Sequence, residues 1–189
     1  FAEGAFNIAF VPLFAKELEA GGEEAARKFG QQVFAVLASW LIVFTGLALL
    51  TMPFLVAHVV APGFTDTPEK FELSVSMTRV MFPYLLCMSL VAMFSGILNS
   101  LRKFFLAAIV PVLLNIILIA VLVLGLYLDW ADQMIGMGLA WGVFASGFAQ
   151  LGLLAWGVWR VGMGFTLVPP RLNDPVKRLL TLMGPGLLT

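Results

Sequence analysis

Apolar residues fall along this chain in long unbroken blocks instead of alternating with polar ones. Four blocks hold no Asp, Glu, Lys or Arg over the length of a membrane crossing: residues 33–52 (20 residues), 80–101 (22), 104–128 (25) and 133–159 (27). A helix needs about 20 such residues to cross the hydrocarbon core of a bilayer. Two shorter blocks, 4–15 and 179–189, stand at the ends. The pattern predicts six membrane helices, four whole and two cut by the chain ends, in an all-α polytopic transmembrane bundle. A transmembrane barrel would alternate in segments of about ten residues, and these blocks are continuous.

Composition agrees. The 189 residues are 61% hydrophobic and 12% charged, about half the charge of a soluble domain, which carries roughly 25%, and the mean hydropathy is +1.00. A single cysteine, Cys87, rules out a disulfide framework. No basic leader precedes the first block, so there is no sign of a cleavable signal, and the chain reads as beginning inside its first helix. Net charge is zero, but its sign is unevenly placed. Lys16, Arg27, Lys28, Arg102, Lys103, Arg160, Arg171, Lys177 and Arg178 occupy alternate connections, against Lys70 alone in the others. Nine to one places the first set in the cytoplasm. The first segment then runs inward and the second starts inside.

Local punctuation fits these boundaries. "APGFTDTPEK" is a turn-rich outer loop, with Thr67 as N-cap and Pro68 at the first helical position; Asp174 and Pro175 repeat that logic. The connection 162–173 is long enough to lie on the inner surface with Phe165, Leu167 and Val168 in the headgroups, or to be a plain tether. Prolines inside the blocks (Pro12, Pro53, Pro83, Pro111, Pro185) permit kinks, most of all in "GPG" at 184–186. Small residues recur every four positions, as Ala92, Gly96 and Ser100 and as Gly138, Gly142 and Ser146, and let helices approach closely.

Polar groups at membrane depth are the candidate functional residues. Glu3 precedes Lys16 by 13 residues, which at about 1.5 Å per residue sets it roughly 20 Å from the inner end, near the midplane. Asn7 follows at i+4 on the same face. The pair either lines a water-filled cavity or is held by a basic residue for structural reasons. Arg79, two turns beyond Glu72, either snorkels to the outer headgroups or faces that cavity. Asn115, near mid-depth, suits a helix–helix hydrogen bond or a place in the cavity. No phosphate-cradling GxxxxGK[ST] loop occurs, His58 and Cys87 have no companions at metal-ligand spacing, and no Ser/His/Asp set is recognisable. These features suit a carrier driven by an ion gradient or membrane potential better than an enzyme, with no cofactor, metal or nucleic acid called for.

The residues "FAEGAFNIAFVPLFAKELE", "APGF", "FPYLLCMSLVAMFSGILNSLRKFFLAAIVPVLLNI" and "MGPGLL" together resemble the MurJ (MviN) lipid II flippases of the multidrug/oligosaccharidyl-lipid/polysaccharide exporter superfamily. The resemblance runs in order through essentially the whole chain. It implies a fold of fourteen helices in two lobes about a V-shaped cavity. On that map residues 1–173 are a partial N-terminal lobe, from the end of helix two through helix six and an inner loop, and residues 174–189 start helix seven. It also implies a multi-pass protein of the bacterial cytoplasmic (inner) membrane, acting in peptidoglycan synthesis, cell wall biogenesis and cell shape. Its partners would be membrane lipids and lipid II, the undecaprenyl-pyrophosphate-linked precursor, moved between leaflets by alternating access. The substrate-cavity residues would be Glu3, Asn7, Arg79 and Asn115, with Glu3 near family arginines that precede "FAEGAF". A cation-coupled drug or polysaccharide-lipid exporter of the same superfamily would share the fold but dedicate acidic residues to coupling. A non-transporting scaffold would need no mid-membrane carboxylate.

The charge asymmetry has a direct test. In intact cells carrying Cys87→Ala, a cysteine at position 66 or 132 reacts with a membrane-impermeant thiol reagent, and one at position 22 or 173 is protected until the membrane is opened. The reverse pattern overturns the orientation.

Overall fold

The structure is a computed structural model that describes residues 2–61, 63, 67–164, 168–170, 174, 176–179 and 181, with side chains from Phe6 onward. The first two predicted segments belong to one helical element, α1 (Ala2–Leu50). Run straight, 49 residues would reach about 75 Å, far beyond a core of about 30 Å. They do not run straight. Gly22 has φ 71° and ψ −168°, a region essentially reserved for glycine. The rings of Phe10 and Phe29 stack with centroids 5.8 Å apart, whereas nineteen residues of straight helix would separate them by about 28 Å. α1 is therefore a helical hairpin bent at Gly22, and its two legs are the first two predicted segments.

After Thr51 the short α2 (Met52–Leu55), begun by Pro53, passes into a π-helical turn at Val56–Val60, closed by Ala61 N–H donating to Val56 O at 2.9 Å. α3 (Pro68–Met81) starts where Thr67 and Pro68 predicted, with Thr67 extended, but the threonine side chain makes no capping bond. α4 (Pro83–Ser100) follows after Phe82. The crossing expected over 80–101 thus begins at Pro68. Arg79 ends the charge-free block, but Arg79, Lys70, Glu72 and Glu69 are good helix formers, so they do not end the helix. α5 (Phe104–Tyr127) keeps its predicted bounds to within one residue, and α6 (Asp132–Val158) continues into a π-helical turn at Trp159–Met163. Among the described residues four stretches are long and apolar enough to cross a membrane: Phe6–Leu50, Pro68–Ser100, Phe104–Tyr127 and Asp132–Met163. Of the loop signals, Pro62, residues 64–66, 165–167 and 171–173, Pro175 and the "GPG" at 184–186 lie outside the described residues; Val168 is half-buried.

Two tight turns join α4 to α5 and α5 to α6 by the same device. Lys103 N–H donates to Leu98 O at 2.8 Å and Arg102 N–H to Asn99 O at 3.0 Å, with Arg102 left-handed at φ 59°. Trp130 N–H donates to Gly125 O at 2.9 Å and Asp129 N–H to Leu126 O at 3.4 Å, with Asp129 at φ 49°. Both are Schellman closures, in which a left-handed residue lets the last helical carbonyls be satisfied. Glycine is the usual occupant, so Arg102 and Asp129 each hold a backbone conformation that costs roughly 1–2 kcal/mol.

The chain divides into two units. One comprises Phe1–Trp40, Met88–Val110 and Leu151–Thr189; the other comprises Leu41–Cys87 and Pro111–Gln150. The first unit contains the nine basic residues of the alternate connections and the second contains only Lys70 and Arg79. In the first unit, Phe6, Phe10 and Phe14 form a ladder on one face of α1, with centroids 5.1 and 5.6 Å apart, and Phe34 stacks on Phe94 at 5.7 Å. Met93, Ile97 and Leu98 of α4 are fully buried there beside Leu154 and Val158 of α6. In the second unit, Met52, Val56 and Val75 form a small core with Phe71 and Phe82 against it. There α6 lies on α5 through glycine: a methyl on Gly142 would meet Val121 at 3.2 Å and Leu118 at 3.3 Å. The small-residue spacing at 138, 142 and 146 is a contact face, as predicted.

Gly22 and Gly46 of α1 both have open space where a side chain would go, so they separate backbone strain from packing. Gly22→Ala lowers the stability of the detergent-solubilised full-length protein by about 1–3 kcal/mol, because alanine disfavours that conformation. Gly46→Ala, within regular helix, is neutral or slightly stabilising. Equal thermal shifts for the two would refute the bend at Gly22.

Candidate functional site

The four predicted polar residues divide between the units, Glu3 and Asn7 in the first, Arg79 and Asn115 in the second. Glu3 lies in α1 one helical turn before Asn7, and its side chain lies outside the described residues. Asn7 is half-buried at the contact between α1 and α4. Gly96 makes that contact possible: a methyl there would come within 2.9 Å of Asn7 Oδ1, 3.3 Å of Phe10 and 3.4 Å of Val11. Asn7 Oδ1 itself is buried with no hydrogen-bond partner among the described residues. An unmet buried acceptor costs about 1–3 kcal/mol. Arg79 is exposed in the last turn of α3. Asn115 is exposed on α5 beside Val112, Ile116 and Ile119, themselves exposed. Neither is occupied in packing within its unit.

Other polar groups escaped the sequence reading. Gln150 of α6 is 1% exposed, and both its Oε1 and Nε2 lack partners among the described residues. A signal for it was present, since Gln150 continues the four-residue stripe of Gly138, Gly142 and Ser146; stopping at the small residues hid it. Ser146 is also buried and donates its hydroxyl to Val143 O at 2.7 Å. In the first unit Gln31 Nε2 donates to Gly164 O at 3.3 Å, and Gln32 Oε1 is buried without a partner. His58 has a local role, donating Nδ1–H to Phe54 O at 3.0 Å and stacking on the Phe54 ring. Beside α1, Leu13, Lys16, Glu17, Phe29, Asp174 and Arg178 enclose about 200 Å³; its two cations and two carboxylates offset each other. What this arrangement can do is offer hydrogen bonds at membrane depth. It has no nucleophile beside a base, and no metal-ligand cluster is found among the described residues.

Comparison with known proteins gives this geometry its family. The model of the family described as lipid II flippase MurJ matches residues 1–189, the whole chain. The chain belongs to the MurJ family. It is similar to the protein of Rhizobium meliloti named probable lipid II flippase MurJ, with 50% identity over 189 residues, covering 100% of this chain and 35% of that protein. Its counterpart of the same name in Rhizobium tropici is 48% identical, over 100% of this chain and 36% of the relative. The lipid II flippase MurJ of Burkholderia cenocepacia is 34% identical, over 98% and 36%. The chain thus spans about a third of the length of these curated relatives. MurJ membership and the four apolar helices make it a multi-pass protein of the bacterial inner membrane.

The α1–α4 contact is testable through its glycine. Gly96→Ala pushes Asn7 and Phe10 aside and destabilises the protein by about 1–3 kcal/mol. Gly152→Ala, where the added methyl meets open space, changes little. Thermal unfolding in detergent reads both, and a Gly96→Ala protein as stable as the parent would sink this contact.

Proposed function

We propose that the chain is part of a flippase that carries lipid II from the inner to the outer leaflet of the cytoplasmic membrane by alternating access. The observation that carries the reading is 50% identity, along the whole chain, to a protein named for that activity. On this reading residues 1–173 belong to the N-terminal lobe and residues 174–189 start the next helix. The work is transport and not catalysis: the substrate leaves chemically unchanged, and what the protein supplies is a polar path for a headgroup that hydrocarbon rejects.

Glu3, Asn7, Arg79 and Asn115 are the chain's contribution to that path. Asn7 is the best supported of them, because its buried oxygen lacks a partner among the described residues where α1 closes on Gly96 of α4. Glu3, one turn away, would set the field of the path at mid-depth, where a carboxylate stays charged if cations lie near. An ion gradient or the membrane potential provides the free energy, since no nucleotide-binding loop occurs in the sequence.

Translocation of labelled lipid II by the full-length protein in vesicles, normalised to folded protein, tests the assignment. Glu3→Gln and Asn7→Leu each lower specific transport by about tenfold, equivalent to roughly 1.4 kcal/mol, while Glu3→Asp retains part of it. Asn7→Leu leaves thermal stability equal or higher, because it removes the unmet acceptor. Unchanged specific transport with less folded protein would return both residues to a structural role.

A further inference from the structure

The larger cavity lies elsewhere in the first unit, between the α4–α5 turn and the end of α6. It encloses about 770 Å³, and Arg102, Lys103 and Arg160 converge on it together with Phe104, Phe105 and Trp156. No carboxylate lines it, in contrast to the smaller charge-balanced cavity beside α1. Among the described residues no ion pair involves any of its three cations. The Arg160 guanidinium instead sits over the Trp156 ring, 5.1 Å from its centroid. The aromatic part is open: Phe104 is 60% exposed, Phe105 75% and Trp156 47%.

Three cations without counter-charges repel one another, and a sequence serving only the fold would separate them. Here the fold holds them together at a conformational cost. Arg102 occupies the left-handed position of the turn, where glycine would be free of strain. All three belong to the connections that the charge asymmetry assigns to the cytoplasmic surface. A basic pocket between membrane helices at that surface, walled by aromatics that suit the headgroup level, matches one class of ligand.

We infer that this pocket binds the phosphate headgroup of an anionic phospholipid of the inner leaflet. Arg102, Lys103 and Arg160 meet the phosphodiester, Arg160 held in place by Trp156, while Phe104 and Phe105 lie along the first methylenes of the acyl chains. The N-terminus of α5, a helix of 24 residues, begins at the same place and adds its free N–H groups to the positive field. A bound lipid would add a ligand-mediated tie between the α4–α5 turn and the end of α6 to the packing of Leu98 and Leu106 beside Gly157. This goes beyond the transport reading and does not depend on it, since the pocket requires no substrate movement.

The test uses the full-length protein in bilayers of phosphatidylcholine, with and without phosphatidylglycerol, read by thermal stability and by native mass spectrometry of retained lipid. Phosphatidylglycerol stabilises the parent and stays bound. The triple substitution Arg102→Gln, Lys103→Gln, Arg160→Gln weakens retention by on the order of a hundredfold. Arg27→Gln with Lys28→Gln, in a different basic connection, leaves it unchanged. Arg102→Gly guards against a misfolded triple variant: it relieves the turn and raises stability in phosphatidylcholine alone, yet loses part of the phosphatidylglycerol effect. Inorganic phosphate added to protein in phosphatidylcholine has no effect, which separates a lipid from a free anion. Equal retention by the triple variant, an equal loss in the Arg27/Lys28 variant, or the full phosphatidylglycerol effect with inorganic phosphate would each overturn the assignment.

Discussion

A bilayer gives an apolar side chain no reason to leave it, so helices in this chain hold together only where they come close enough for dense van der Waals contact. The approach of α1 to α4 at Gly96 is the contact on which the first unit depends. With no side chain at that position, Asn7, Phe10 and Val11 settle against the α4 backbone. The Phe6–Phe10–Phe14 ladder then extends the contact, and Phe29 joins it from the other leg of the hairpin. Each aromatic pair adds about 0.5–1.5 kcal/mol beyond its area. The second unit repeats the solution with other residues, through the glycines of α6 against Val121, Leu118 and Trp130. Elsewhere the apolar surface stays exposed. Val110 and Gly125 are the only buried residues of α5, as expected of a helix whose surroundings are lipid.

Charge follows a second constraint. The unit with nine basic residues carries six acidic ones, and the unit with two basic residues carries five. The units therefore differ in sign, although the whole chain is neutral. The orientation expected from the sequence rests on that difference, because cytoplasmic connections retain Lys and Arg. The same basic residues also gather, at the α4–α5 turn and the end of α6, into a pocket without a carboxylate. Orientation requires only that the charges be on one side; convergence on a single cavity is an added property of the fold.

Polar side-chain atoms buried without hydrogen-bond partners among the described residues are the third feature. Asn7, Gln32 and Gln150 all keep hydrogen-bonding capacity that no described residue uses. In a protein selected only to be stable, apolar residues of similar size would do better at these positions.

The sequence by itself determined the helical class, the membrane setting and the crossings of α5 and α6, because hydrophobic block length is a one-dimensional property. It also showed the contact stripes at Gly96 and Gly142, since period-four spacing fixes a helix face. The start of the second crossing came from the Thr67 and Pro68 punctuation and not from the charge-free block, because Arg79 ends that block while the helix runs back to Pro68. Tertiary structure alone decided the rest. The bend at Gly22 is legible only from a φ of 71° and from two rings nineteen residues apart that touch. That Asn7 Oδ1 and Gln150 lack partners depends on what lies opposite them, and so does the meeting of Arg102, Lys103 and Arg160, which are up to 58 residues apart in the chain. Spacing along a helix tells which residues share a face; only the packing of one helix on another tells what that face meets.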